Sequence, residues 1–135
     1  MIILDDLMDE TGQRVASLLT KKSHHRNISV MYIVQNLLFH HRTISLNAHY
    51  MVLIKILTDV AQIMALAHQM YPRRTQYFLE AFSQATARSL GYMVIDMKQN
   101  TPDILRLTTF IFPGEEQKAY VTSCFLSLLH QTLRE

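Results

Sequence analysis

The stretch Ile28-Ser-Val-Met-Tyr-Ile-Val34, closed by Gln35-Asn36, decides the fold class. It runs seven residues without a charge, mostly β-branched, aliphatic or aromatic. Such a run predicts a strand buried on both faces, the kind that fills a parallel sheet. It stops at two amides, and a polar side chain at the carboxyl end of a buried parallel strand sits where open α/β sheets bind ligands. A second apolar strand, Met1-Ile-Ile-Leu4, opens the sequence and runs into Asp5-Asp6.

Outward from these two strands the chain alternates strand and helix. Asp6 to Lys22 predicts a helix, with Leu7, Met8, Val15, Leu18 and Leu19 at roughly helical spacing and Lys21-Lys22 suited to the negative end of its dipole. Leu37 to His49 is polar and irregular. Tyr50 to Lys55 is a third apolar strand. Asp59 caps a predicted helix through Met70, with Val60, Ile63, Met64 and Ala67 on one face, and Pro72 stops it. A second helix opens at Thr75, buries Phe78, Leu79, Phe82 and Ala85, and ends near Ser89 before Gly91. Tyr92 to Met97 predicts a fourth strand. Ile104 to Phe112 predicts a fifth, antiparallel to the fourth across the Gln99–Asp103 turn. Pro113-Gly114 breaks it, and Glu115 to Leu133 predicts a last amphipathic helix, acidic at its start and followed by Arg134. The expected architecture is therefore α/β, a mainly parallel sheet with flanking helices and a C-terminal antiparallel hairpin. Residues 1–135 are expected to form a single domain: strands in 1–55, a helical pair in 59–89, and the hairpin with the last helix in 91–134.

Composition excludes several classes. The hydrophobic share is 49% and the charged share 18%, with three Gly and three Pro, which is globular rather than disordered. A net charge of +2 does not by itself imply nucleic-acid binding. A single cysteine, Cys124, rules out a disulfide framework within the chain and fits an intracellular setting. No apolar run reaches the ~20 residues that span a bilayer, and no basic leader precedes Asp5, so neither membrane insertion nor a signal peptide is expected.

Apolar strand tips carrying Asp5-Asp6 and Gln35 suit nucleoside triphosphate hydrolysis. That reaction needs Mg²⁺ near the β- and γ-phosphates and a carboxylate to orient the attacking water. Asp5 would meet the hydration shell of the metal, since Mg²⁺ keeps several waters. Asp6 would polarise water. Gln35 would hydrogen-bond the γ-phosphate or that water, because an amide both donates and accepts. Each residue also has a plainer reading. Paired acids favour a helix N-terminus, and an amide at a strand end caps local backbone.

The run His25-Arg-Asn-Ile-Ser-Val-Met-Tyr-Ile-Val-Gln35, with Asp5-Asp-Leu-Met8 and Val15-Ala-Ser-Leu-Leu19 before it, resembles the Walker B helix and sensor strand of the FtsK–HerA superfamily. More narrowly, the run His24-His-Arg-Asn-Ile-Ser-Val…Val-Gln-Asn-Leu37, with Arg42-Thr-Ile-Ser-Leu-Asn-Ala-His-Tyr50 and Gly91-Tyr…Ile-Asp96, resembles the genome-packaging ATPases of double-stranded DNA viruses and related large DNA transposons. The similarity extends from Met1 to about Phe112. The resemblance implies a P-loop NTPase fold and a ring-shaped, usually hexameric motor. It would bind ATP and Mg²⁺ and drive duplex DNA through a pore, in the nucleus, the cytoplasm or a virus particle. It assigns Asp5 to the metal, Asp6 to catalysis and Gln35 to phosphate sensing. It places Arg42 near a position from which an arginine acts across the subunit interface; otherwise Arg42 is a cation on a solvated loop.

Departures from the family pattern limit what the resemblance implies. The phosphate-binding loop G-x-x-x-x-G-K-S/T does not occur in these residues, and Gly12, Gly91 and Gly114 are nowhere near that pattern. The chain therefore resembles the C-terminal half of such an ATPase, a fragment inactive alone. The alternative is a non-enzymatic interaction module, or a relic, that retains the fold and associates with full-length ATPase subunits. In the implied fold the phosphate-loop strand lies between Ile28–Val34 and Tyr50–Lys55. Without it, those two strands either pair directly or keep open edges.

Other chemistry is less well supported. His24, His25, His40, His41 and His49 lie on predicted loops without the H-x-x-x-H spacing of a helical zinc site, and solvated turns account for them. Cys124, beside Phe125 and Leu128, reads as an inert core thiol.

Overall fold

A computed structural model of the chain describes residues 1–5, 28–36, 47–55 and 60–121. The contacts divide the chain into two units, Met1–Ala48 and His49–Glu135. The expected helix over Asp6–Lys22, the loop bearing His40, His41 and Arg42, the Asp59 cap and Cys124 all lie outside the described residues.

In the first unit, strand β1 (Ile2–Asp5) pairs in parallel with β2 (Val30–Ile33), in the register Ile2↔Val30, Ile3↔Met31, Leu4↔Tyr32 and Asp5↔Ile33. The Ile2 N–H donates to the Ser29 carbonyl at 2.8 Å at the start of the ladder. Successive side chains of a strand point to opposite faces, and burial alternates accordingly. Ile2, Leu4, Val30 and Tyr32 are half-buried; Ile3, Asp5, Met31 and Ile33 are exposed. The expected burial on both faces is therefore corrected. Ile3 is 55% exposed and Met31 50%, so an uninterrupted apolar run here serves a ladder covered on one side.

The second unit holds a four-stranded sheet in the order β3 (Tyr50–Ile54), β4 (Tyr92–Asp96), β5 (Leu107–Thr109), β6 (Lys118–Ala119), and every pairing in it is antiparallel. This corrects the expected mainly parallel sheet. The reason lies between β3 and β4, where the chain makes two helical passes, α1 (Val60–Met70) and α2 (Thr75–Ala85), which pack on each other across the Tyr71–Arg74 turn. One crossover helix returns a chain to the start of the sheet and makes the next strand parallel. Two passes return it to the end where β3 finished, so β4 runs back along β3, with Ile54↔Tyr92 and Tyr50↔Asp96 as the outermost pairs. Among the described residues no ladder joins β2 to β3: β2 pairs with β1 and β3 with β4.

The helices sit close to where periodicity predicts them, but the buried stripe of α1 is rotated. Gln62, Leu66 and Ala67 are buried, whereas Val60 is 61% exposed and Met64 45%. In α2, Phe78, Ala81 and Ala85 are buried, with Leu79 and Phe82 half-buried. This helix stops at Ala85, short of Ser89. The Thr86 hydroxyl donates back to the Phe82 carbonyl at 2.8 Å, and Leu90 takes a left-handed φ of 59° before Gly91. The core of the unit is formed by Phe78, Met93, Ile95 and Leu107, together with Thr109, whose hydroxyl donates to the Tyr92 carbonyl at 2.6 Å.

The expected hairpin of β4 and β5 is present, paired Val94↔Thr108 and Ile95↔Leu107. The strand is shorter than the predicted 104–112, because Asp103–Leu105 forms a 3₁₀ turn and Phe110 leaves the strand with φ 57°. Residues 115–121 are not helical, and the rest of the predicted last helix lies outside the described residues. At Glu115 a turn forms instead. The Glu115 carboxylate accepts from the Phe112 N–H at 3.0 Å and the Tyr92 hydroxyl at 2.8 Å, holding the turn, and Lys118–Ala119 go on to pair with β5. Among the described residues no helix is long and apolar enough to cross a membrane.

Candidate functional site

Parallel pairing puts the carboxyl ends of β1 and β2 side by side, and with them Asp5 and Gln35. Asp5 faces Ile33 in register; Gln35 lies two residues further along. Gln35 is past the end of β2, in a bend, so it belongs to the same carboxyl edge as Asp5 without being its ladder partner. Both residues are exposed, on the same alternation as Ile3, Met31 and Ile33. Asp6 and Arg42, the other residues assigned to this site, lie outside the described residues.

An exposed carboxylate at a strand tip fits a hydrated Mg²⁺, which is commonly held by one or two carboxylates. Among the described residues no three His, Cys, Asp or Glu side chains gather into a fuller cage. For the phosphates of ATP the fit is incomplete, because the cradle of backbone amides and the lysine that the family uses are missing from these residues.

The second unit carries a polar centre that sequence reasoning missed. Arg106 sits between the 3₁₀ turn and β5 with its side chain 18% exposed. Its Nη1 donates to the carbonyls of Asp96 at 2.9 Å and Lys98 at 3.1 Å, its Nη2 to the Thr101 carbonyl at 2.8 Å, and its Nε to the Asp103 carboxylate at 3.2 Å. One guanidinium thus fastens the whole β4–β5 connection. Its signal in the sequence was a lone cation between Leu105 and Leu107. Burial would raise the Asp96 carboxyl, but the Lys98 N–H at 3.0 Å, the Thr101 side chain and the Lys98 and Arg106 charges outweigh it and hold the group below its ordinary value. Lys98 in turn donates to the Tyr50 hydroxyl, which raises its own pKa, and lies 4.2 Å from the Tyr50 ring centre.

Beside this centre is a cleft of about 320 Å³ lined by Met70, Tyr71, Arg74, Asp103 and Arg106. Tyr71 packs edge-on against Tyr77, ring centres 5.6 Å apart, and tilted against Phe78 at 6.0 Å. Its hydroxyl is buried and has no hydrogen-bond partner among the described residues. Burial pushes the Tyr71 pKa up; Arg106 and Arg74 pull it down and Asp103 raises it, so all three charges act on this hydroxyl. The neighbouring Tyr77 hydroxyl donates to the Tyr120 carbonyl at 2.6 Å, and burial leads its rise to about 12.

No protein-family model, no curated protein and no solved structure matches the chain.

Proposed function

We propose that these residues are the Walker B and sensor part of a motor ATPase that moves duplex DNA, working in a homo-oligomeric ring and incomplete for hydrolysis by themselves. The observation that carries this reading is the parallel β1–β2 pair with Asp5 and Gln35 at one carboxyl edge. Asp5 contacts the hydration shell of Mg²⁺, Asp6 orients water, Gln35 senses the γ-phosphate, and Arg42 is the candidate cation for the charge that develops on it. The phosphate grip has to come from outside the 135 residues.

The test is a titration of isotopically labelled protein with Mn²⁺ in place of Mg²⁺, with and without ATP, followed by amide line broadening. Broadening centred on Asp5, Asp6 and Gln35, and lost in Asp5→Asn, is expected. In parallel, steady-state ATP turnover with Mg²⁺ and duplex DNA is expected to stay at background. Broadening elsewhere, or turnover abolished by Asp6→Ala, would overturn the reading.

A second reading, a non-enzymatic interaction module, has its own observation. Tyr50, Val52 and Ile54, on the terminal strand of the four-stranded sheet, are 54–61% exposed. An uncharged apolar strand at a sheet edge is a template for pairing with another chain. Light scattering coupled to gel filtration separates the two: association removed by Val52→Lys, without any Mn²⁺ effect at Asp5, favours the module.

A further inference from the structure

We infer that the cleft between the α1–α2 turn and the β4–β5 connection binds a phosphate group. This goes beyond the nucleotide reading above, uses none of its residues, and lies wholly within the second unit. Three observations carry it. The first is charge: Arg74 and Arg106 line the cleft against a single carboxylate, Asp103. That carboxylate is 86% exposed and held by the Arg106 Nε, while Arg74 is exposed and makes no ion pair with any described residue. A cleft with one unpaired guanidinium and a second largely committed to backbone carbonyls favours an anion.

The second observation is the Tyr71 hydroxyl, buried without a partner among the described residues and beside the same three charges. A buried hydroxyl left unbonded is costly, and such groups in native proteins call for a specific reason. An oxyanion accepting its proton would satisfy it. The third is the start of α2. This helix begins immediately after Arg74, has no side-chain cap and carries no acidic residue in its first turn. The positive end of its dipole is therefore not offset by an acid of its own first turn, and it follows directly on Arg74, which lines the cleft.

Phosphate suits this set better than a planar carboxylate. Its tetrahedral oxygens can accept from more than one of the donors carried by the lining residues: the Arg74 guanidinium, the remaining Nη2 proton of Arg106 and, once a side-chain shift uncovers it, the Tyr71 hydroxyl. The volume leaves room for an ester substituent, so the group can arrive as free phosphate, a nucleoside monophosphate or a nucleic-acid backbone.

The test follows thermal unfolding and amide chemical shifts during titration with inorganic phosphate, sulfate-free, at constant ionic strength. The wild-type chain is expected to show a saturable rise in Tm, with shifts at Tyr71, Arg74 and Arg106. Arg74→Gln should weaken phosphate binding by about tenfold or more, the loss of a charge-assisted contact. Arg73→Gln, which removes the adjacent exposed charge, should leave it unchanged. Tyr71→Phe is the diagnostic variant. Without phosphate it should unfold at a higher temperature than wild type, because the unbonded hydroxyl is gone, and it should gain less from phosphate. Competition by adenosine monophosphate and by a short duplex then identifies the source, whichever displaces inorganic phosphate at the lower concentration. The inference falls if phosphate gives no saturable change, if Arg73→Gln weakens binding as much as Arg74→Gln, or if Tyr71→Phe lowers the phosphate-free Tm. The last result would mean that a water already satisfies the hydroxyl.

Discussion

Replacing Arg106 by Met keeps most of the aliphatic stem and removes the guanidinium, so it isolates what the four hydrogen bonds contribute. Three of them end on carbonyls, those of Asp96, Lys98 and Thr101. Each bond from a charged donor is worth ~1.5–3 kcal/mol, and an unsatisfied buried carbonyl costs a comparable amount. Two features reduce the sum. The Lys98 carbonyl also accepts the Thr101 N–H at 3.4 Å, and the 18% exposure of the side chain lets water reach part of the site. The fourth bond, to the largely exposed Asp103, adds little, ~0–0.5 kcal/mol. The expected loss is therefore about 2–4 kcal/mol, a large share of the ~5–15 kcal/mol that holds a typical domain together. Arg106→Lys, whose single ammonium can serve one or two carbonyls, should lose about half as much. Urea unfolding of the wild type, Arg106→Met, Arg106→Lys and Asp103→Asn measures all four. The reasoning fails if Arg106→Met lies within ~0.5 kcal/mol of wild type, or if Asp103→Asn costs as much as Arg106→Met. The latter would place the energy in the exposed ion pair and not in the carbonyl clamp.

Gly91→Ala should destabilise the fold by ~1–3 kcal/mol or more in the same assay, because the added Cβ would meet the Ala85 carbonyl oxygen at 2.6 Å and the Arg88 carbonyl oxygen at 2.9 Å, both backbone atoms that move only if the helix end moves. Tyr77 keeps its proton in the fold to about 12, from an ordinary 10.0, so its contribution is complete below pH 10.0 and disappears as pH rises toward 12; Tyr77→Phe should flatten the alkaline limb of a stability–pH curve. Asp96 is shifted the other way, below 3.8, so its contribution is present above that pH and is lost as pH falls through the lower folded value; Asp96→Asn should remove that acid dependence.

How much of this was legible in the sequence depends on which force set each feature. Parallel pairing of the first two strands followed from apolar runs that end at polar residues, a local signal. The two helices followed from period and from Pro72. Strand direction beyond β3 did not, because it depends on how many helical passes intervene, a property of the path and not of any one stretch. The burial stripe of α1 was misplaced for a related reason: Val60 and Met64 are apolar, but their exposure is decided by what α2 and the sheet cover. Glu115 was read as a helix-start acid, whereas the Tyr92 hydroxyl, 23 residues away, and the Phe112 amide engage its carboxylate in a turn. Arg106 was overlooked because three of its four partners are backbone carbonyls, which sequence patterns do not display.

Charge decides how far the Asp5–Gln35 edge can go toward hydrolysis. The γ-phosphoryl group in transfer is anionic throughout, and catalysis is almost wholly positioning and electrostatic stabilisation. In the proposed reading Asp5 and Asp6 would add negative charge, Gln35 only a dipole, and Mg²⁺ held through water would offset part of the total. Of the residues assigned to the site, Arg42 alone is cationic. A single arginine supplied across an interface accelerates transfer when the phosphates are already cradled, but it does not replace the cradle. Mixing this chain with a polypeptide that carries a strand–G-x-x-x-x-G-K-S/T–helix unit is therefore the decisive reconstitution. ATP turnover that appears only in the mixture, and disappears with Asp6→Ala in this chain, is the expected outcome. Turnover that is insensitive to Asp6→Ala would show that the added unit works without these acids, and the motor reading would fail.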